Sequence, residues 1–256
     1  MRAALEARSY VPPAESGGYW HQSRRPLTCL LFVLPLLACY EVGMVWLGPG
    51  ALRNGADVWL QQCFAFAGLG GFLLLPFLTI SVLLGWHHVS GQPWRASSGV
   101  LYTMAAECSL FAMLLVVVAH LHAMALSVSG IPVACDVVKD SSAEIYFGHM
   151  VRYCGAGIYE ELLFRLMLIP LAIAGIGLAV ASRRTTIGMA LVSTSVLFSL
   201  AHYIGPHGES FLFYTFAFRC VAGCFFAVLF VFRGFGIAAG THALYDILVG
   251  LPPNGL

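Results

Sequence analysis

A chain of 256 residues that is 59% hydrophobic and only 10% charged, with mean hydropathy +0.84, is no soluble globular domain, since such domains carry roughly 25% charged residues. Its net charge of +1 gives no electrostatic case for nucleic acid, and its single lysine, Lys139, none for a polybasic lipid-binding patch. Length and composition leave an all-α, polytopic bundle of transmembrane helices, about seven to eight spans in the lipid bilayer, with no separate soluble domain.

Residues 1–26 read as a polar N-terminal tail, with Pro12, Pro13, Gly17, Gly18 and the doublet Arg24-Arg25. Ser23-Arg24-Arg25 has a look of a twin-arginine signal, and Leu36-Leu37-Ala38-Cys39 of a lipoprotein cleavage box. A first membrane span with basic flanks explains both better. Apolar stretches then cover roughly 27–47, 60–86, 100–128, 150–181, 186–204, 210–232 and 234–251. The second is long and holds Gly68, Gly70, Gly71 and Pro76, which predicts tilt or a kink. The fourth follows the polar run Glu144 to His149 and contains Gly155 and Gly157, so an interfacial helix entering the membrane near Gly155 is expected. In the last, Gly236 and Gly240 have GxxxG spacing, which lets a helix backbone approach its neighbours.

Arg2, Arg8, Arg24 and Arg25 precede the first span, Arg95 separates the second from the third, Arg183 and Arg184 the fourth from the fifth, and Arg233 the sixth from the seventh. The opposite loops hold little more than Arg53 and Lys139. Basic residues gather on the cytoplasmic side, so the N-terminus is expected there, in the plasma membrane, and the C-terminus outside if the spans number seven. Cys29, Cys39, Cys63, Cys108, Cys154, Cys220 and Cys224 lie in or beside apolar segments without a CxxC pair, and are read as small hydrophobes.

Against this background a few ionisable residues stand out. A charge at membrane depth costs several kcal/mol, about 2.5–3.5 on insertion scales, so its default reading is functional. The fourth span carries Glu160-Glu161-Leu162-Leu163-Phe164-Arg165. On a helix Glu161 and Arg165 are i and i+4, the favourable order for an ion pair. Glu160 then points elsewhere, free of that arginine, and a carboxylate in a dry site is a candidate general base or acid. A structural ion pair with a spare glutamate near the headgroups accounts for the motif equally well. Phe198 to His202 ends the fifth span, where a lone histidine is more often interfacial or core than catalytic. His242 and Asp246 share a face of the last span. Either Asp246 orients the imidazole, or both face developing negative charge, or the pair is hydrogen-bonded glue between helices. Glu41 and Glu107 read as cavity-lining or interhelical groups, His120 and His122 as interfacial, and His87 and His88 as loop residues.

Together the three clusters resemble the CPBP family of intramembrane proteases, also called the Abi or CAAX-protease family, which includes the type II CAAX prenyl endopeptidases. Its pattern is EExxxR, then FxxxH, then HxxxN or HxxxD on three transmembrane helices, and every key position is matched here. The resemblance divides the chain into the tail 1–26, N-terminal helices 27–149 and a catalytic region 150–251. It implies that Glu160 activates the attacking water, that His202 shares that water, and that His242 and Asp246 face the oxyanion, with Glu161 and Arg165 in support. An ionised Asp246 would repel an oxyanion, so it either carries a proton or orients His242.

The resemblance leaves metal dependence open between a glutamate protease and a metalloprotease. Two histidines and a glutamate are a donor set that zinc accepts, and Glu160, His202 and His242 would be its ligands. No HExxH motif requires it, so no cofactor is needed by sequence and the metal-free mechanism is preferred. The expected activity is intramembrane hydrolysis of peptide bonds in a membrane-anchored peptide or protein. The competing readings are a non-proteolytic membrane scaffold or immunity protein of the same fold, a proton-coupled transporter, and a b-type haem protein. The absence of an inverted repeat weighs against transport, and ligand histidines of a haem would need no glutamate pair.

Overall fold

The computed structural model describes residues 17–128, 143–205 and 208–251. Pro12, Pro13, Arg2, Arg8 and Lys139 of the sequence reading lie outside these residues. A short helix α1 (Tyr19–Gln22) precedes α2 (Pro26–Leu47), which starts on a proline whose missing N–H costs a first turn nothing. Helices α3 (Gly55–Phe66), α4 (Leu74–Val89) and α5 (Ser98–Val128) follow. The single span expected over 60–86 is therefore two helices. Gly68 and Gly71, with φ of +79° and +157°, lie in the break between them, in backbone conformations that other residues rarely adopt. His87 and His88, expected in a loop, sit in the last turn of α4, with His87 buried against Trp94.

Helix α6 (Ala143–Gly155) runs through two wide π-helical stretches, Ala156–Glu160 and Leu162–Leu168, into α7 (Ile169–Gly177). The helical rod is continuous through Gly155. A Cβ on Gly155 would lie 2.3 Å from the Tyr40 ring, so the glycine is there for helix packing. Helices α8 (Arg183–Ala201), α9 (Phe213–Arg233) and α10 (Phe235–Gly250) complete the bundle. A direct turn at Gly234, φ +87°, joins α9 to α10.

The centre of the bundle is α10, buried continuously from Phe235 to Ala243. Its GxxxG face works as expected. A Cβ on Gly236 would meet the Cys29 Cα at 3.1 Å, and one on Gly240 the Phe32 ring at 2.7 Å, so both glycines seat α10 against α2. On the other face Gly157 of the rod lies against Ala239 and Ala243. Four described helices, Pro26–Leu47, Ser98–Ser127, Arg183–Ala201 and Phe213–Arg233, are long and apolar enough to cross a membrane. The all-helical, membrane-embedded class thus holds, while the number of crossings read from the sequence is not reached by this measure. The motif-bearing rod and α10 fall outside the four because π turns and charges interrupt the first and the second is 16 residues long.

Glu41 and Glu107 are interhelical groups. Tyr159 donates to Glu41 Oε1 at 2.5 Å. Glu107 takes two hydrogen bonds from Arg233, at 2.5 and 2.7 Å. Arg233 is consequently buried rather than a free loop cation. His120 bonds the carbonyl of Val116 within its own helix, and His122 that of Tyr214 on α9. Every described cysteine is free.

Candidate active site

Three helices bring the sequence-predicted residues to one place. The first π stretch ends on Glu160, His202 caps the C-terminus of α8, and His242 and Asp246 stand one turn apart on α10. These four side chains line a single cavity of about 320 Å³. Glu161 and Arg165 lie behind its wall, with side chains 0% and 2% exposed. Wide π turns displace side chains from the ordinary helical register and are frequent at functional sites. Here adjacent glutamates meet the two nitrogens of one imidazole, Glu161 at Nδ1 of His242 and Glu160 facing Nε2.

The buried side is tightly paired. Glu161 Oε1 accepts from His242 Nδ1 at 2.8 Å and faces the Arg165 guanidinium at 3.1 Å. Arg165 also donates to the Gly223 carbonyl of α9 at 3.2 Å and lies 4.3 Å over the Phe198 ring. The carboxylate therefore meets a cation, and that cation has an aromatic face, which offsets part of the cost of removing both charges from water. The imidazole of His242 stacks on Phe226 at 4.4 Å between centroids. With Nδ1 held by Glu161, its Nε2 is turned into the cavity.

On the cavity side the distances are longer. Glu160 Oε2 stands 3.9 Å from His202 Nε2 and 3.9 Å from His242 Nε2. That oxygen is buried and makes no direct hydrogen bond. Neither gap is closed by a direct hydrogen bond, so the oxygen is left facing both imidazoles across the cavity wall. His202 Nδ1 lies 2.9 Å from the Phe198 carbonyl, which can only accept, so Nδ1 carries the hydrogen and the neutral ring keeps its Nε2 lone pair toward Glu160. Asp246 Oδ2 is 3.5 Å from His242 Nε2, with no hydrogen bond formed between them. The carboxylate that orients His242 is thus Glu161, a link that spacing along the chain did not suggest.

Two further participants acquire their roles only in the fold. The aromatic side chain of Phe198 touches Phe164, His202 and His242 edge-on and supports Arg165, so the first residue of the FxxxH motif is the hub between the buried and open sides. Asn54, at the start of α3, donates from Nδ2 to Glu160 Oε1 at 2.8 Å. Its one readable signal is an Asn-Gly pair ahead of an apolar helix, which marks an N-cap and says nothing of a partner 106 residues away. A second cavity of about 220 Å³ adjoins the first, with Asn54, Glu160 and His202 lining both.

The suggested zinc ligands Glu160, His202 and His242 are near one another, and their donor types suit the ion. Yet among the described residues no group of three or more His, Cys, Asp or Glu is drawn together as a metal ion needs.

Residues 143–248 match the model of a protein family described as Type II CAAX prenyl endopeptidase Rce1-like. That is the family the three motifs resemble. The match takes in all three motifs and none of residues 17–128. No curated protein and no solved structure matches the chain.

Proposed function

We propose that this chain, Rce1-like over residues 143–248, is an intramembrane endopeptidase in which Glu160 is the general base for water. One observation carries the reading: Glu160 Oε2, without a hydrogen bond of its own, faces Nε2 of both histidines at 3.9 Å on the wall of the cavity. A water there donates one hydrogen to Oε2 and the other to the Nε2 lone pair of His202. Its own lone pair is left for the carbonyl carbon of a peptide bond. Attack transfers the first hydrogen to Glu160 as the carbon–oxygen bond forms. His242, in its imidazolium form beside Glu161, presents Nε2–H to the resulting oxyanion. Breakdown cleaves the carbon–nitrogen bond, and Glu160 returns the proton to the leaving amine. Asp246 acts as a second donor to the oxyanion in its protonated form, since Glu161 already performs the orienting task. Glu161 and Arg165 hold His242 in place.

The substrate class that fits is a membrane-anchored, prenylated protein or peptide. The rod and α10 would complete the crossings of the bundle, shielded from lipid by the outer helices. We place the N-terminus in the cytoplasm on the strength of the Arg24, Arg25, Arg183 and Arg184 bias.

Purified protein in proteoliposomes, with a membrane-anchored peptide, tests the catalytic reading. Glu160→Gln, His202→Ala and His242→Ala should each lower kcat about 10²- to 10⁴-fold while the protein remains folded. Cleavage at the wild-type rate by all three variants would sink the protease reading in favour of a scaffold or transporter. A strong chelator should leave cleavage unchanged, and its loss, restored by added zinc, would replace the metal-free mechanism by a metal-dependent one.

A further inference from the structure

The strongest feature outside the family-matched region is the polar cluster at residues 40–61, where α2, α3 and their connection meet the rod. Tyr40 donates to Asp57 Oδ2 at 2.5 Å, and Arg53 Nε donates to the same oxygen at 2.6 Å. Gln61 donates to Asp57 Oδ1 at 2.7 Å. Arg53 also faces Glu41, which accepts from Tyr159, the residue immediately before Glu160. Asp57 and Tyr40 are wholly buried. Buried polar groups so linked hold one another in fixed positions, because each must keep its partner or cost free energy.

Asn54 sits at the edge of this cluster and points into the cavity. Its Oδ1 accepts from the backbone N–H of Ala56 at 2.9 Å and of Asp57 at 3.4 Å, the capping bonds of α3. Because an N–H must meet an oxygen, the cap fixes which end of the amide is Oδ1, and Nδ2 is left facing Glu160 Oε1. The Asn54 backbone N–H donates to Tyr40 Oη at 3.3 Å, which ties the turn to the cluster. One oxygen of the carboxylate is thereby pinned and the other is left toward the two histidines.

We propose that Asn54 is a positioning residue for Glu160, and that the Tyr40–Asp57–Arg53–Glu41–Tyr159 network is the frame that holds both. The proposal rests on the reading of Glu160 as base and extends it to residues the family match does not reach. A carboxylate pinned through Oε1 cannot swing its free oxygen away from the water it must deprotonate, and catalysis is sensitive to such displacements. The frame also joins the N-terminal helices to the site, so residues 40–61 support the base while the motif helices supply the reacting groups.

Capping and positioning can be separated by choice of side chain. Asparagine, aspartate and serine all cap helices well, but only asparagine carries a second polar atom, Nδ2, that donates toward Glu160 while its oxygen caps. Asn54→Ser should keep the cap, with a melting temperature above that of Asn54→Ala and an unchanged KM, while kcat falls about 10- to 100-fold, as expected for a lost hydrogen bond to a charged group; Asn54→Asp, which sets a second carboxylate against Glu160, should lower kcat at least as far. Serine guards against an aspartate that shares a proton with Glu160. Asn54→Ala, which loses cap and donor, should lower both the melting temperature and kcat. Wild-type kcat in Asn54→Ser, with Glu160→Gln inactive in the same assay, would overturn the positioning role alone. An active Glu160→Gln would overturn the base assignment and the positioning role with it.

Discussion

Glu161 binds the site together through one oxygen, meeting His242 Nδ1 at 2.8 Å and Arg165 at 3.1 Å. Removing one member of a buried pair strands the other charge, at a cost of about 3–5 kcal/mol. Glu161→Gln and Arg165→Met are each expected to lower the melting temperature in detergent sharply. The double variant should recover part of the loss, because the guanidinium is then removed together with the carboxylate it faces, and a double variant as unstable as the sum of the singles would argue that the ion pair is not the cause. Asp246 supports a different expectation. It forms no hydrogen bond with His242, so Asp246→Asn, which preserves a donor toward the cavity, should keep activity. Asp246→Ala should lower kcat about 10²-fold, the usual effect of losing one oxyanion donor. If the asparagine variant were as poor as the alanine variant, the residue would be acting as an anion. The sequence spacing was sufficient to pair Glu161 with Arg165 on one helix. It could not pair Glu161 with His242, which lies on another helix 81 residues away.

Among the elements, the contact between the rod and α10 sets the distance between base and imidazole. A Cβ on Gly157 would lie 2.6 Å from the Ala239 carbonyl oxygen and 2.7 Å from the Ala243 Cβ. Neither of these atoms ends a flexible side chain, so the helices must part. Gly157→Ala should cost about 1–3 kcal/mol through overpacking, and it should lower kcat by moving Glu160 away from His242. Gly236→Ala should be milder in activity, since Gly236 faces Cys29 and the flexible end of Met104 rather than the rod. Thermal unfolding and cleavage measured on the same two preparations check both expectations, and a fully active, fully stable Gly157→Ala protein would show that this contact does not set the site geometry. The GxxxG spacing in α10 was legible because small residues one turn apart signal close packing. The rod was less so. Gly155 and Gly157 were readable as an entry point into the membrane but not as packing sites, and each admits a neighbour, Tyr40 for one and α10 for the other. Glycine permits both outcomes, and only the packing partner decides between them.

For the molecule as a whole, charges at its periphery are consumed internally as well as by solvent. Arg233 pairs with Glu107 of α5, lies 3.7 Å over the Trp20 ring, and shares Glu107 with a hydrogen bond from Tyr19, so the segment before α2 is anchored to the α9–α10 corner. Glu107→Gln should destabilise the bundle by about 3–5 kcal/mol, because the Arg233 side chain is only 2% exposed. Arg233→Leu with Glu107→Leu should restore stability in a detergent melt, and failure to do so would point to the hydrogen bond from Tyr19 as the main anchor. An orientation argument that counts every arginine must then leave this one out. Membrane embedding, the helical class and the order of the three motifs followed from the sequence alone, because hydropathy and the spacing of charged residues are local properties that survive any arrangement of helices. Which oxygen of Glu160 is free, which carboxylate orients His242, and that Asn54 reaches the site at all were decided by tertiary structure. Those facts depend on atoms brought within about 3 Å from distant parts of the chain, a distance set by how helices pack and cap and not by any residue's neighbours in sequence.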